Sequence, residues 1–179
     1  MKPPAYSRPA AALHWVHAGL LFALVVVGLT MVDLPKGAER SAAYALHKSL
    51  GILALAFVAV RLGWRLRCPP PHHPGLDGLE SALAKTMHHL LYGLLLLVPL
   101  AGFLSICFTP YPLAFFGLPL PKPGWPNADL NGFFGLLHKV LVAILGGAVG
   151  VHVAAAVRHG WRRDGTLGRM FPGLGRQRL

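Results

Sequence analysis

The sequence contains four apolar runs, each close to the roughly 20 residues that a transmembrane helix needs. They lie at about residues 13–32, 46–64, 87–108 and 132–157. A chain inside lipid must satisfy its backbone hydrogen bonds internally, so runs of this length fold as helices. Successive spans cross the membrane in opposite directions, so neighbouring helices along the chain are antiparallel. We therefore predict an all-α fold, an antiparallel four-helix transmembrane bundle, as one domain over residues 1–179.

The charged residues set the expected orientation of this bundle. Charged residues make up 13% of the chain and hydrophobic ones 54%, yet the net charge is +11. The basic residues bracket the apolar runs instead of forming one face, so we expect contact with lipid headgroups and no nucleic-acid partner. They concentrate at the N-terminus, at Arg65 and Arg67, and after Arg158. The positive-inside rule then places both termini in the cytoplasm.

Two histidines lie near the two ends of the fourth run. His138 and His152 are 14 residues apart, which in an α-helix is about 21 Å of rise and only about 40° short of four full turns. Both side chains therefore project from nearly the same face. Ionisable residues inside a membrane usually mark functional sites, and imidazole is a common axial ligand of haem iron.

Depth in the membrane identifies a partner for the inner of these two histidines. His14 follows Arg8 by six residues, and His152 precedes Arg158 by six. If both arginines mark the cytoplasmic interface, the two histidines lie at one depth. His17 would lie about 4.5 Å deeper and is the poorer match.

A repeated local pattern identifies the outer pair. Leu-His-Lys-x-Leu occurs at His47 and again at His138, and the topology puts both copies on the outer side. The spacing thus predicts two bis-histidine sites, His14 with His152 and His47 with His138. The alternative is that these are helix-end histidines solvated by headgroups. Neither Cys-x-x-Cys nor Cys-x-x-Cys-His occurs, so any haem would be held without covalent attachment.

Two further residues belong to the expected haem environment. Gly51 lies one turn after His47, where a missing side chain would let a flat ring approach the backbone; close helix packing explains it equally well. Arg61 is 14 residues after His47, so it shares that face but lies near the inner site. It could pair with a haem propionate or be an interface arginine that extends to the headgroups.

These residues stand among others that together resemble one family. They are Tyr6-Ser7-Arg8, Leu13-His14-Trp15, His47 with Gly51 and Arg61, His88 with Tyr92 and Pro99, His138, and His152 to His159 with Thr166-Leu167-x-Arg169-Met170-x-Pro172. The chain resembles, over nearly its whole length, the bacterial cytochrome b561 family of four-helix, di-haem b proteins of the inner membrane. The resemblance implies two haems b, ligated by His14, His152, His47 and His138, and electron exchange with the quinone pool.

The resemblance also implies a reaction, in which electrons from superoxide at the outer face reduce ubiquinone. Superoxide is a small anion, so a cationic entrance would help to capture it. Lys48 and Lys139 each directly follow an outer histidine and are candidates for this steering, although ordinary interface lysines would look the same. The chain differs from superoxide-oxidising members at His17, at His89 and in its outer loop.

A quinone would need a pocket near the inner haem. His159 lies seven residues beyond His152, on the same face and two turns closer to the cytoplasm. It could donate a hydrogen bond and a proton to a quinone carbonyl, or be a solvated helix-end histidine. Arg158, Trp161 and His88 are further candidates for the quinone or inner-haem environment.

A second function fits the same pattern. Similar four-helix di-haem subunits serve as membrane anchors for periplasmic dehydrogenases or hydrogenases, and there the chain relays electrons from a partner protein. The sequence leaves this alternative open, and it assigns no role to His17 or His89.

Overall fold

The computed structural model of the protein describes residues 4–71 and 78–171, so Pro172 and the arginines beyond it lie outside the described part. Four long helices dominate it: α1 (Arg8–Thr30), α2 (Ala38–Arg67), α3 (Gly78–Cys107) and α4 (Ala128–Arg162). All four are long and apolar enough to cross a membrane by length and composition. The predicted all-α, four-helix transmembrane bundle is confirmed.

The helices pack mainly on their neighbours along the chain, α1 on α2, α2 on α3, and α3 most extensively on α4. We call the end where α1 begins and α4 ends the terminal end, and the opposite end the hairpin end. The shared core is small and consists of Val58, Leu94, Leu95, Leu145 and Ala148. Much of the remaining apolar helix surface is exposed, as expected of surfaces that face lipid.

All four helices begin before the apolar runs that predicted them. Their polar first turns explain this extension. The side chain of Asn127 accepts a hydrogen bond from the Leu130 amide at 3.0 Å and so caps α4. Glu39 and Glu80 lie in the first turns of α2 and α3. A negative charge there interacts favourably with the positive end of the helix dipole and stabilises the start of the helix.

A short β-hairpin, which the sequence analysis did not anticipate, interrupts the connection from α3 to α4. It consists of β1 (Leu113–Phe115) and β2 (Leu118–Leu120). Phe116 and Gly117 both have positive φ, 46° and 87°, as a two-residue hairpin turn requires. The Phe116 amide donates to Oγ of Ser49 at 2.9 Å, and Ser49 is only 2% exposed. The hairpin is therefore fixed to α2 beside the first predicted outer histidine.

Arg169 closes the terminal end. It lies in a short 3-10 helix (Leu167–Met170) and is 7% exposed. Its guanidinium donates to the carbonyl of Pro4 at 2.9 Å and to that of Pro71, and it stacks on the Tyr6 ring at 5.1 Å. One side chain thus ties together the segment before α1, the connection after α2 and the chain after α4.

We expect Arg169→Ala to lower the thermal midpoint of the detergent-solubilised protein, because it leaves two carbonyl groups in part-buried contacts without their donor. A fully buried unpaired group costs about 1–3 kcal/mol, and these part-buried groups should cost less. Arg169→Lys should restore little, since a lysine cannot reproduce the forked geometry. Arg67→Ala, at an exposed position in the same end of the bundle, is the matched control. A wild-type midpoint for Arg169→Ala would contradict this role.

Candidate functional site

A cavity of about 2560 Å³ runs the length of the bundle and is lined by residues of all four helices. Pockets that hold one drug-sized ligand are roughly 300–1,000 Å³, so this space is large enough for more than one. The lining is mostly apolar. His14 and His152 line it at the terminal end, and His47 and His138 line it at the hairpin end.

The four predicted ligands lie in two pairs of equal separation. The ring centroids of His14 and His152 are 6.3 Å apart, and so are those of His47 and His138. Two metal–imidazole bonds of about 2.0–2.1 Å separate the two nitrogens by about 4 Å, and the half-widths of the two rings account for the remainder. Each pair is therefore spaced for axial ligation of one iron from both sides.

The chemistry of the pairs fits iron that is already held by a macrocycle. Nδ1 of His138 lies 2.9 Å from the carbonyl oxygen of Val98; a carbonyl only accepts, so Nδ1 carries the proton and Nε2 is free for a metal. Nδ1 of His14 and of His47 has no partner among the described residues. Across residues 4–71 and 78–171 there is no cluster of three metal-binding side chains.

Two glycines on the helices that carry these imidazoles leave open space along the cavity. Gly51 on α2 and Gly146 on α4 line the cavity, and nothing lies within 4 Å of the position that a Cβ would take on either. A flat ring can approach the backbone at both places. The residues present therefore fit haem bound by two histidines at each end.

His88 adds a third imidazole to the terminal end. Its Nδ1 lies 2.7 Å from the Ala84 carbonyl, which leaves Nε2 free, and its ring centroid lies 5.8 Å from that of His152. It lines the cavity, as a residue of the inner-haem environment should. The adjacent His89 is exposed. Sequence reasoning left the choice between these two open, and the structure turns His88 toward the site.

His17 and Arg61 form a separate contact beside the cavity. His17 is fully buried, does not line the cavity, and has its Nδ1 3.3 Å from Nη1 of Arg61. Arg61 lines the cavity and its guanidinium lies 5.4 Å from the Tyr92 ring centroid. A guanidinium only donates, so Nδ1 of His17 is the acceptor here. The structure thus places His14, not His17, beside His152.

His159 lines the cavity at the terminal end and contacts an acid that sequence reasoning missed. Its Nδ1 is 2.5 Å from Oδ2 of Asp164, whose Oδ1 accepts the Thr166 amide at 3.0 Å. Burial raises the pKa of Asp164, but hydrogen bonds from His159 and Thr166 outweigh burial and bring that pKa to about 2. The group is therefore a carboxylate, which accepts from Nδ1 of His159 and leaves Nε2 available to a ligand.

The other two quinone candidates are placed differently. Arg158 lines the cavity, and its Nη1 lies 3.2 Å from Oε1 of Glu80, which also pairs with Arg162 at 2.8 Å. Trp161 is 84% exposed and does not line the cavity. The geometry therefore favours His159 and Arg158 over Trp161 as groups that a ligand could meet.

The hairpin end of the cavity is cationic. Among the lining residues, this end contributes four basic side chains: Lys36, Arg40, Lys48 and Lys139. Nζ of Lys48 donates to the Pro112 carbonyl at 3.3 Å. In the described part of the chain, the single acidic residue that lines the cavity is Glu80, at the terminal end. The charged side chains that line the hairpin end in the described part of the chain are therefore all positive, which favours the approach of an anion.

Comparison with known proteins agrees with this architecture. The sequence pattern that defines the prokaryotic cytochrome b561 family matches residues 5–173. Cytochrome b561 homolog 2 of Escherichia coli K12 is 30% identical over 94% of this chain and 92% of its own length. The probable superoxide oxidase CybB of Yersinia pestis is 29% identical over 93% of this chain and 96% of its own. The resemblance seen in the sequence is confirmed, and the chain belongs to the prokaryotic cytochrome b561 family of membrane cytochromes.

Proposed function

We propose that this chain binds two haems b and passes electrons from superoxide at the hairpin end to ubiquinone at the terminal end. The main support for the proposal is that two pairs of imidazole rings lie at opposite ends of one cavity. Within each pair the ring centroids are 6.3 Å apart. Their ligands would be His14 with His152 and His47 with His138. The name of the Yersinia pestis relative supports superoxide as the donor.

The proposed orientation places the terminal end in the cytoplasm of a bacterial inner membrane. Arg8, Arg65, Arg67, Arg158 and Arg162 all lie at that end, and positive residues accumulate on the cytoplasmic side of membrane proteins. The hairpin end then faces the periplasm.

Haem at the two sites would supply one-electron redox centres near the two membrane faces. In the overall reaction, two superoxide anions each lose one electron and become dioxygen. One ubiquinone takes up those two electrons and two protons and becomes ubiquinol. The chain itself must therefore attract an anion at one end and deliver protons at the other.

Anion capture at the hairpin end rests on its cationic lining. Lys48 and Lys139 each follow a ligand histidine and line the cavity, together with Lys36 and Arg40. Positive charge around a low-dielectric entrance concentrates small anions and raises their rate of arrival. Superoxide would enter here.

Proton delivery at the terminal end rests on the contact between His159 and Asp164. The carboxylate accepts Nδ1–H of His159, so a proton that this histidine takes up would sit on Nε2 and could pass from there to a quinone oxygen in the cavity. Arg158, which pairs with Glu80 at the same end of the cavity, provides a further hydrogen-bond donor there. Arg61 also lines the cavity, and its guanidinium would pair with a haem propionate.

The test is whether the purified chain alone transfers electrons from superoxide to a ubiquinone analogue. We expect dioxygen and quinol to form in a ratio of two to one, with a rate that falls as ionic strength rises, because salt screens the attraction. Lys48→Ala with Lys139→Ala should weaken that salt dependence. A chain that binds two haems but does not react with superoxide would instead act as the electron-relaying subunit of a periplasmic dehydrogenase or hydrogenase.

We expect His159→Ala to slow quinone reduction by roughly 10²-fold, the lower range for loss of a general acid, while both haems stay bound. Asp164→Asn should give a smaller decrease, because it removes the group that orients the ring but not the ring itself. Trp161→Ala, exposed and outside the cavity, is the control and should behave as wild type. Unchanged quinone reduction in His159→Ala would remove this histidine from the pocket.

A further inference from the structure

Both hairpin-end imidazoles rest against a glycine of a neighbouring helix. A Cβ added to Gly28 of α1 would lie 3.1 Å from Cε1 of His47, and one added to Gly102 of α3 would lie 3.1 Å from Nδ1 of His138. Neither helix carries a hairpin-end ligand. At the terminal end, a Cβ added to any glycine in the described helices would not lie within 4 Å of His14 or His152.

At each position a backbone carbonyl group lies four residues before the glycine. Nδ1–H of His138 donates to the carbonyl of Val98 at 2.9 Å, and Val98 is four residues before Gly102. Leu24 is four residues before Gly28, but Nδ1 of His47 makes no hydrogen bond to the described residues. The two sides of the site therefore share the glycine contact, and the His138 side adds a hydrogen bond to the carbonyl.

Helix geometry explains the spacing of four. In an α-helix, residue i+4 stands next to the carbonyl of residue i, and side chains lean toward the N-terminus. A side chain at position 28 or 102 would therefore cover the carbonyl and occupy the place of the imidazole. Glycine leaves the carbonyl accessible and lets the ring lie against the helix.

We propose that Gly28 and Gly102 are positioning residues for the hairpin-end haem. They set the orientation of its two ligand rings, whose planes are 89° apart against 41° at the terminal end. Gly102 also permits the bond from His138 to Val98 that adjusts the reduction potential. This inference rests on the proposed ligation of haem by His47 and His138.

The bond to Val98 has a predictable effect on the iron. A hydrogen bond from Nδ1–H to a carbonyl raises the basicity of the ligating imidazole, which favours ferric iron and lowers the reduction potential; such hydrogen bonds are among the levers by which proteins tune haem. A methyl group at position 102 would also lie 3.2 Å from Cε1 of His138. The ring must then move by a few tenths of an ångström away from α3, and the hydrogen bond weakens.

The experiment compares Gly102→Ala and Gly28→Ala with Gly93→Ala and Gly19→Ala. The two controls lie on the same helices, have nothing within 4 Å of the added carbon, and do not line the cavity. Each also replaces a helical glycine with alanine, so the controls account for the gain in helix propensity. Each purified protein is assayed for haem content, titrated with resolution of the two haem components, and examined by EPR in the ferric state, which responds to the angle between imidazole planes.

The haem component that is missing from His138→Ala identifies the hairpin-end haem. All four glycine variants are compared with the wild type at that component. Gly102→Ala should raise the midpoint potential of that component alone, and Gly28→Ala should change its EPR signal alone. Loss of that haem alone from either variant would also support the proposal. Both controls should match wild type.

Two results would overturn the proposal. One is that Gly28→Ala and Gly102→Ala retain two haems with wild-type potentials and EPR signals. The other is that both components shift together, which would indicate a general change in packing. If His138 does not bind haem, His138→Ala will retain two haems, whatever the glycine variants show. That result would contradict the proposed ligation and is distinguishable from failure of the glycine proposal.

Discussion

The structure depends on imidazole rings that are buried inside a membrane bundle. Burying a polar group without a partner is costly, and ionisable residues at membrane depth are accordingly rare. Here four rings face one cavity, and buried nitrogens of His14 and His47 lack partners among the described residues. Under the proposed function, a metal bound between two facing imidazoles would give both rings a partner inside the cavity. The proposal thereby accounts for histidines that occur in pairs at matched depths.

The helix packing brings the two pairs together. The main interfaces run from α1 to α2, from α2 to α3 and from α3 to α4, and the cavity lies among them. α4 contributes one histidine to each pair, and α1 and α2 each contribute one more. A group bound between the paired rings would therefore bridge α1 to α4 at one end and α2 to α4 at the other. α3 carries no member of either pair, but it supports both sites through Val98, Gly102 and His88.

Much of this arrangement could be predicted from the sequence because it depends on simple periodicities. Run length predicts helices, an even number of spans places both termini at one end, and 14 residues return a helix to nearly the same face. The four histidines that these rules selected are the ones that the structure brings together in pairs. Their role as haem ligands stays a proposal until haem binding is measured.

The remaining features depend on contacts that no periodicity encodes. Asp164 reaches His159 only because Arg163 adopts a left-handed conformation, φ 52°, that turns the chain back. The hairpin was missed because Pro119 argues against a strand, and it is tolerated because the sheet has only two strands, both of them edges. The contacts of Gly28 and Gly102 depend on the register between helices.

The most direct measurement of the central claim is the number of haems b per polypeptide in the purified protein and in two single variants. The account predicts two irons in the wild type, with one lost from His138→Ala and the other, spectrally distinct, lost from His152→Ala. A wild-type value below two, or both variants losing the same haem, would contradict it.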